Sequence, residues 1–175
     1  MQERRRVPAR TVLLREGKKA QHYYFIEQGC LRVWFNNKGK DTTVQFFFEG
    51  DGVSSIESVL QNTPSAFTIE TIEPATLQVL PREVFIQLIG ELESEPEFLR
   101  ALLAISFDRQ RHYMNEFLSR LRDTPEERYA GLLQERPHIV KRVQQHYIAS
   151  YLGISPVHLS RIKNKLNKKE GRGRI

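Results

Sequence analysis

The chain has 175 residues, of which 39% are hydrophobic and 10% aromatic, a composition typical of a globular protein with one large domain or two small ones. No apolar run approaches the ~20 residues of a membrane span, and the basic start at residues 1–6 precedes no continuous apolar signal segment. We therefore expect a soluble, cytoplasmic protein with no membrane partner, and the single cysteine, Cys30, excludes an internal disulfide, an iron–sulfur cluster or a structural zinc site of its own.

The net charge of +6 is unevenly distributed along the chain. Residues 1–90 contain 11 Lys+Arg and 10 Asp+Glu, residues 91–122 contain 5 and 6, and residues 123–175 contain 11 and 5. The positive excess therefore lies in the last third of the sequence. It indicates either a C-terminal module that meets a polyanion or a solvated basic tail formed by Lys168, Lys169, Arg172 and Arg174.

Up to residue 80, short β-branched and aromatic runs alternate with turn residues, as strands and hairpins require. The runs are residues 11–14, 23–27, 31–35, 43–48 and 77–80. Regular strand spacing of this kind predicts a β barrel or jelly roll, which we place at residues 1–94.

From residue 95 the apolar period changes to that of a helix, and no breaker interrupts it before residue 122. One row of side chains recurs at alternating spacings of four and three residues: Leu103, Phe107, Gln110, Met114, Phe117 and Leu121. We call this row the seam. It predicts that helix 95–122 pairs with the same helix of a second copy, and the alternative is a helix buried within one chain.

A new helix is expected after Asp123. Thr124 can cap it, Pro125 fits its first turn, and Glu127 completes a capping box. The break at this point predicts a hinge and the start of a C-terminal domain, residues 123–175. The new helix should end near Arg136, because the residue before a proline disfavours the α conformation.

Residues 144–166, QQHYIASYLGISPVHLSRIKNKL, predict two helices joined by a tight turn. Gly153 supplies the left-handed conformation that ends the first helix, Ser155 can cap the second, and Pro156 occupies its first position. The expected buried side chains are Ile148, Ala149, Leu152, Ile154, Leu159, Ile162 and Leu166.

The side of the second helix left exposed is polar and basic, and we call it the recognition strip: Val157, His158, Ser160, Arg161, Asn164, Lys165 and Lys168. An α-helix fits the major groove of B-DNA, where its first side chains reach base edges and its later ones reach phosphates. Arg161 is expected to bind a guanine, with a phosphate contact as the alternative. Gln144, Gln145 and Ser155 complete the predicted DNA-binding residues.

The order of barrel, long helix and helix-turn-helix resembles the Crp/Fnr family of bacterial transcription regulators along nearly the whole chain. The motifs that carry the resemblance are IASYLGISPVHLSRI at residues 148–162 and ERY at residues 127–129. The resemblance implies an α+β fold with a cyclic-nucleotide-binding-like jelly roll and a winged helix-turn-helix. It also implies a homodimer, a pseudo-palindromic operator in double-stranded DNA, and RNA polymerase as a partner. Members usually have a further helix before the first strand, so we expect a short or truncated start.

In this resemblance, the family's nucleotide contacts fall on residues of different chemistry. The Gly-Glu-Leu segment, whose carboxylate binds the ribose, corresponds to residues 54–56, Ser-Ser-Ile, so the carboxylate is missing unless Glu57 replaces it. The arginine of Arg-Ser-Ala, which holds the cyclic phosphate, corresponds to Pro64, which offers neither a charge nor a backbone donor. The Thr-Ser pair that contacts adenine corresponds to His112 and Tyr113.

Three contact groups have thus changed together, and we expect no ordinary cyclic AMP binding, because an unpaired phosphate in a closed pocket is strongly unfavourable. The remaining pocket suits a neutral ligand or none. Its candidate residues are Ser54, Ser55, Glu57, Ser65, His112 and Tyr113.

Other function classes find little support in the sequence. A haem branch of the family would need axial ligands, for which His22 and His112 are the candidates, and His22 is expected on a surface hairpin. A metal-dependent cupin needs several barrel histidines, whereas residues 1–90 contain only His22, and no Ser-His-Asp, nucleophile-elbow or P-loop signature occurs. We therefore expect no enzyme, no cofactor and no metal. The alternative is a regulatory or scaffold protein whose barrel binds a small ligand or a protein.

Overall fold

Eight strands and seven helices make up residues 3–172, the part of the chain that the computed structural model describes. The strands are β1 Glu3–Val7, β2 Val12–Leu14, β3 His22–Gln28, β4 Leu31–Asn37, β5 Lys40–Phe47, β6 Gly52–Val53, β7 Thr68–Thr71 and β8 Ala75–Pro81. The helices are α1 Ile56–Gln61, α2 Arg82–Leu92, α3 Pro96–Arg122, α4 Pro125–Glu135, α5 Pro137–Arg142, α6 Gln145–Tyr151 and α7 Pro156–Arg172. This order confirms the predicted α+β class.

The strands form two four-stranded sheets in the orders β1-β8-β3-β6 and β2-β7-β4-β5, with antiparallel neighbours. Side chains alternate along them: Tyr24 and Ile26 of β3 are buried, whereas Phe25 between them is exposed. Both sheets contribute to one apolar core, which includes Leu14, Leu31, Phe47, Ile69, Leu77 and Val79. Two sheets around a shared core confirm the predicted jelly roll.

All five predicted strand segments are strands in the structure, but β1, β6, β7, α1 and α2 are not predicted from the sequence. The sequence of β1, ERRRV, has no alternating apolar pattern, and the strand exists because its backbone pairs with β8 at the sheet edge. Helix α2 packs through Phe85, whose ring stacks on Tyr23 with centroids 4.4 Å apart. Contacts between distant segments therefore define these elements.

The helix predicted at residues 95–122 is α3, and the predicted break after it is confirmed. Thr124 Oγ1 accepts a hydrogen bond from the Glu127 N–H at 3.3 Å, and the Thr124 N–H donates to Glu127 Oε2 at 2.8 Å. This reciprocal pair is the predicted capping box at the start of α4. Helix α4 ends at Glu135, directly before Arg136 and Pro137, as expected.

The chain divides into two compact units, Met1–Ile105 and Ser106–Ile175, and the division falls inside α3. The end of α3 belongs to the second unit because Arg120 Nη2 donates to the Tyr151 carbonyl at 3.1 Å. The three-part division at residues 94 and 122 stays a prediction. Residues 1–2 and 173–175, with Arg174 of the basic tail, lie outside the described residues, as do the side chains of Lys169 and Arg172.

The wing implied by the family resemblance is not among the described elements. Residues 106–172 contain helices and no strand. Between α4 and α6 the chain forms the short helix α5, because Pro137 occupies its first turn and Ile139 is buried. After the turn, α7 continues to Arg172. The described part of this unit is therefore a helix-turn-helix without its expected wing.

A buried ion cluster crosses the second sheet. Arg32 on β4 is 4% exposed and donates to Glu70 Oε2 from Nε and Nη2, at 3.1 and 2.9 Å. Its Nη2 also lies 2.9 Å from Asp41 Oδ2, and its guanidinium carbon lies 4.8 Å from the ring centre of Trp34. These contacts join β4 to β5 and β7 through side chains. Loss of the arginine would leave the Glu70 carboxylate buried without its cation, which is strongly unfavourable.

We expect Arg32→Met to destabilise the N-terminal unit by ~3 kcal/mol or more, because the Glu70 charge would stay buried and uncompensated. Urea unfolding followed by the fluorescence of Trp34, the single tryptophan of the chain, measures this change. Arg5→Met is the matched control, since the Arg5–Glu3 pair on β1 is exposed and its loss should barely move the midpoint. Equal shifts for the two variants would contradict a structural role for the buried cluster.

Candidate nucleic-acid interface

The turn between α6 and α7 has the geometry that the sequence predicts. Gly153 has a φ of 70°, and its N–H donates to the Ser150 carbonyl at 3.1 Å. The Ile154 N–H donates to the Ala149 carbonyl at 3.0 Å. These two bonds form a Schellman motif, which satisfies the last carbonyls of α6. Ser155 Oγ then accepts from the His158 N–H at 3.1 Å, which confirms the expected cap of α7.

The buried side of the helix pair is largely as predicted. Six of the seven expected side chains are buried: Ile148, Ala149, Leu152, Ile154, Leu159 and Ile162. Ala149 and Leu159 are completely inaccessible, so the two helices approach closely at this point. Leu166 is only half-buried, because α6 has seven residues and α7 extends well beyond it.

The recognition strip lies on the opposite side of α7, and all seven of its side chains are exposed. Val157 and His158 lie in the first turn, and Arg161 lies one turn further along. Gln144 occupies the N-cap position of α6, Gln145 is its first residue, and both are exposed. The structure therefore brings the predicted DNA-binding residues to one helix-turn-helix and leaves them accessible.

One cation of the recognition strip has an acidic neighbour that the sequence analysis does not predict. Lys165 Nζ lies 2.8 Å from both carboxylate oxygens of Glu126 on α4. The two residues are 39 positions apart, and no local pattern links them. Both side chains are about half exposed, so the ion pair is weak in water and can be exchanged for a phosphate.

Two arginines hold the end of α6 in place, and the sequence analysis does not predict their role. Arg128 of α4 donates from Nη2 to the Leu152 carbonyl at 3.1 Å and from Nη1 to the Asp123 carbonyl at 2.9 Å. Arg120 of α3 donates to the neighbouring Tyr151 carbonyl at 3.1 Å. Cationic donors are favourable at a helix C-terminus, where carbonyls lack partners. The ERY motif, which contains Arg128, is the one sequence signal for these contacts.

The seam residues of α3 are not buried within the chain. The exposed fractions are 55% for Leu103, 65% for Phe107, 51% for Met114, 57% for Phe117 and 70% for Leu121, and Gln110 is exposed as well. The alternative of a helix whose seam is buried in one chain is therefore wrong. A row of five exposed large apolar side chains, interrupted only by Gln110, indicates an interaction surface.

The predicted effector residues of the barrel lie around α1. Ser54 Oγ donates to the His22 carbonyl at 2.8 Å, and the buried Ser65 Oγ donates to the Phe67 carbonyl at the same distance. Ser55 precedes the first residue of α1, and Glu57 is exposed in its first turn. Ser54 and Ser65 thus bond to the backbone.

His112 and Tyr113 lie on α3 in the second unit, whereas the other effector candidates lie in the first. His112 is half-buried, and its burial together with nearby Arg136 lowers the pKa of its imidazole. Burial raises the pKa of the Tyr113 hydroxyl. His22, expected on a surface hairpin, begins the internal strand β3, and burial lowers the pKa of its imidazole.

The model of the cyclic nucleotide-binding domain family matches residues 4–91, half of the chain. The chain belongs to this family. The matched segment lies within the predicted jelly-roll region at residues 1–94 and includes α2 up to residue 91.

Solved structures share the fold along nearly the whole chain. FixK2 from Bradyrhizobium japonicum is 18% identical with a TM-score of 0.81, over 97% of this chain and 86% of that chain. The c-di-GMP responsive global regulator CLP of Xanthomonas campestris is 19% identical with a TM-score of 0.76, over 97% and 88%. A structure described as a transcriptional regulator of the Crp/Fnr family from Eubacterium rectale is 17% identical with a TM-score of 0.74, over 96% and 79%. The chain thus has the Crp/Fnr fold.

A comparison with curated proteins finds no match. No helix among the described residues is long and apolar enough to cross a membrane. Within residues 3–172, no group of three or more His, Cys, Asp or Glu side chains is arranged to hold a metal ion.

We expect Ser155→Ala to destabilise the C-terminal unit by ~1 kcal/mol, because the His158 N–H would lose the side-chain acceptor that caps α7. Thermal unfolding followed by far-ultraviolet circular dichroism of the full chain measures this change. Ser160→Ala is the matched control, since Ser160 is an exposed serine inside the same helix. If the free energy of unfolding falls equally in both variants, the Ser155 cap makes no specific contribution to the stability of α7.

Proposed function

We propose that the protein is a sequence-specific DNA-binding transcription regulator that acts in the cytoplasm as a homodimer. The observation that carries the proposal is the recognition strip, whose exposed side chains include the cations Arg161, Lys165 and Lys168. They lie on one side of a helix whose other side is buried, which is the arrangement that a major-groove reader requires. Membership of the cyclic nucleotide-binding domain family and the Crp/Fnr fold support a regulatory role.

Within the recognition strip, position along α7 separates two kinds of DNA contact. Arg161 lies one turn into the helix, where side chains reach base edges, and its guanidinium suits the two acceptors of guanine. Lys168 lies seven residues later, ~10 Å further along the helix, and faces phosphate. Gln144 and Gln145 at the start of α6 position the module on the DNA backbone. Lys165 reaches phosphate by exchanging its Glu126 partner.

The exposed seam on α3 supports the homodimer. Five of its six residues are large apolar side chains at heptad spacing, each more than half exposed. A second copy offers the same surface and would cover it symmetrically. Two-fold symmetry favours a pseudo-palindromic operator whose half-sites lie about one helical turn, ~34 Å, apart. RNA polymerase is the protein partner that we propose for the DNA-bound dimer.

The barrel supports an effector domain that does not bind cyclic AMP in the usual way. Pro64 stands where the family has its phosphate-binding arginine, and its backbone forms a bridge with Lys19. The Ser65 hydroxyl, next to it, bonds to the Phe67 backbone. None of the candidate residues Ser54, Ser55, Glu57 and Ser65 carries a positive charge that could replace the missing arginine.

We expect Arg161→Ala to weaken operator binding by ~1 to 3 kcal/mol and to relax the preference at one base pair per half-site. Lys168→Ala, the matched control on the same helix, should lower the affinity for all DNA sequences alike. It should also reduce the slope of log K against log salt concentration by ~0.9 per lost phosphate contact. Competition binding of mixed duplexes at two salt concentrations measures both effects. The assignment fails if Arg161→Ala weakens all sequences uniformly while Lys168→Ala changes the preferred sequence.

We expect the double variant Met114→Glu, Phe117→Glu to be a folded monomer with much weaker operator binding, because four carboxylates would face one another across the seam. Light scattering gives the mass. The control is Ala104→Glu, Arg111→Glu, at two exposed sites on α3 outside the seam, which should stay dimeric. An unchanged mass for the seam variant would contradict the proposed interface.

We expect isothermal titration calorimetry to detect no micromolar binding of cyclic AMP, because no arginine is available at position 64 to pair with the cyclic phosphate. The double variant Ser55→Glu, Pro64→Arg restores the two family residues and is the test of whether the pocket can still accept the nucleotide. Micromolar binding to the unchanged chain would show that Glu57 and another cation have taken over these contacts.

A further inference from the structure

The C-terminal unit contains a cavity of about 320 Å³ between the end of α3, α4 and the end of α6. Its lining includes four arginines, Arg120, Arg122, Arg128 and Arg136. A cavity of this size is at the lower end of the range for small-molecule sites, roughly 300 to 1,000 Å³. It lies entirely in the second unit and includes no predicted effector residue.

Two of these arginines have buried donor atoms without an acceptor. Arg128 Nε and Arg136 Nη1 are inaccessible to solvent and have no hydrogen-bond partner. The other nitrogens of Arg128 donate to the Asp123 and Leu152 carbonyls, which fixes the plane of its guanidinium. A buried cationic donor without an acceptor is costly, so these atoms would gain from an anionic oxygen. Because neither atom is accessible to solvent, an oxygen in the cavity would reach them once the two side chains rotate toward it.

Carboxylates of the same lining have other partners. Asp123 accepts from Arg122 and from Ser119, both at 2.7 Å, and these bonds hold the pKa of its carboxyl below the usual value. Glu127 is engaged in the capping box with Thr124, which lowers the pKa of its carboxyl. Burial and the neighbouring Glu116 raise the pKa of the Tyr151 hydroxyl. Asp123 and Glu127 are therefore engaged outside the two unpaired donors, and the fourth carboxylate of the lining, Glu135, is exposed to solvent.

We propose that this cavity binds a small organic oxyanion, a phosphate monoester or a carboxylate, through Arg128 and Arg136. A guanidinium presents two parallel donors, which match the oxygens of either group. The ligand would be a second effector, at a site separate from the barrel pocket.

The position of the cavity gives its ligand a route to α7. Arg128 and Arg120 donate to the carbonyls of Leu152 and Tyr151, directly before the turn at Gly153. An anion bound to Arg128 would restrict the motion of this side chain and so stabilise its hydrogen bonds to the end of α6. The orientation of α7 relative to α4 would then be more fixed. This regulatory step rests on the proposed DNA-binding function, whereas the binding of the anion does not.

Calorimetry of the full chain in Tris buffer tests the site with four probes: inorganic phosphate, ribose 5-phosphate, citrate and neutral ribose. We expect saturable binding of one anion per chain by ~10 mM, and none of ribose. Binding of ribose 5-phosphate without citrate identifies a phosphate site, and the reverse identifies a carboxylate site. If no anionic probe saturates, the proposal is overturned.

Two variants locate the binding. Arg136→Gln should lower the affinity for the bound probe by roughly tenfold or more, the effect expected for loss of a charged hydrogen bond. Gly131→Leu should abolish binding without loss of any arginine, because Gly131 lines the cavity and a Cβ added there has no atom within 4 Å. The matched controls are Arg111→Gln, a cation of the same unit outside the cavity lining, and Gly131→Ala, which adds one methyl group. Both should bind within about twofold of the unchanged chain.

If Arg111→Gln and Arg136→Gln lower the affinity for the probe equally, the binding depends only on general charge attraction. If Gly131→Leu binds the probe with undiminished affinity, the anion binds elsewhere. Either result overturns the site. Operator binding is then measured with and without the probe that binds. A chain that binds the anion but no DNA would contradict the proposed function alone, and a chain that binds DNA but no anion would contradict this inference alone.

Discussion

The turn between α6 and α7 is the constraint on which the functional surface depends. Gly153 ends α6 in a left-handed conformation, the Schellman bonds satisfy the open carbonyls, and Ser155 begins α7. This geometry fixes the angle between the two helices, and Ala149 of α6 and Leu159 of α7 have no accessible surface. Once that side of α7 is buried, the side with Arg161 must face solvent. The local hydrogen bonds thus determine which residues of α7 are exposed.

The contacts around the turn extend its order to the rest of the C-terminal unit. Arg120 and Arg128 connect the end of α3 and the start of α4 to the last carbonyls of α6. The capping box at Thr124 fixes where α4 begins, and therefore where Arg128 lies. A change in the position of the end of α3 would consequently alter the position of the helix-turn-helix through these hydrogen bonds. In the function that we propose, this connection would link pairing of the α3 seam with a second copy to the position of the helix-turn-helix.

The sequence predicts the parts of this fold that depend on neighbouring residues. The capping box, the Gly153 turn and the Ser155 cap each involve residues within five positions of one another, and all three are confirmed. Features that depend on distant segments are missed: β1 needs β8, and Lys165 meets Glu126 across 39 positions. The expected wing was implied by family resemblance alone, and residues 106–172 do not contain it. Local chemistry therefore predicts the candidate interface better than the elements around it.

Selection of the full chain against a pool of random duplex DNA, followed by sequencing of the bound fraction, tests the central claim most directly. We expect enrichment of one sequence with two inverted half-sites whose centres lie about one helical turn, ~10 base pairs, apart. The two-fold symmetry of the enriched sequence would indicate that the protein binds as a dimer. The enrichment itself would indicate that α7 contacts the bases. A bound fraction with the composition of the starting pool would contradict sequence-specific recognition, and a single half-site without its inverted copy would contradict the dimer.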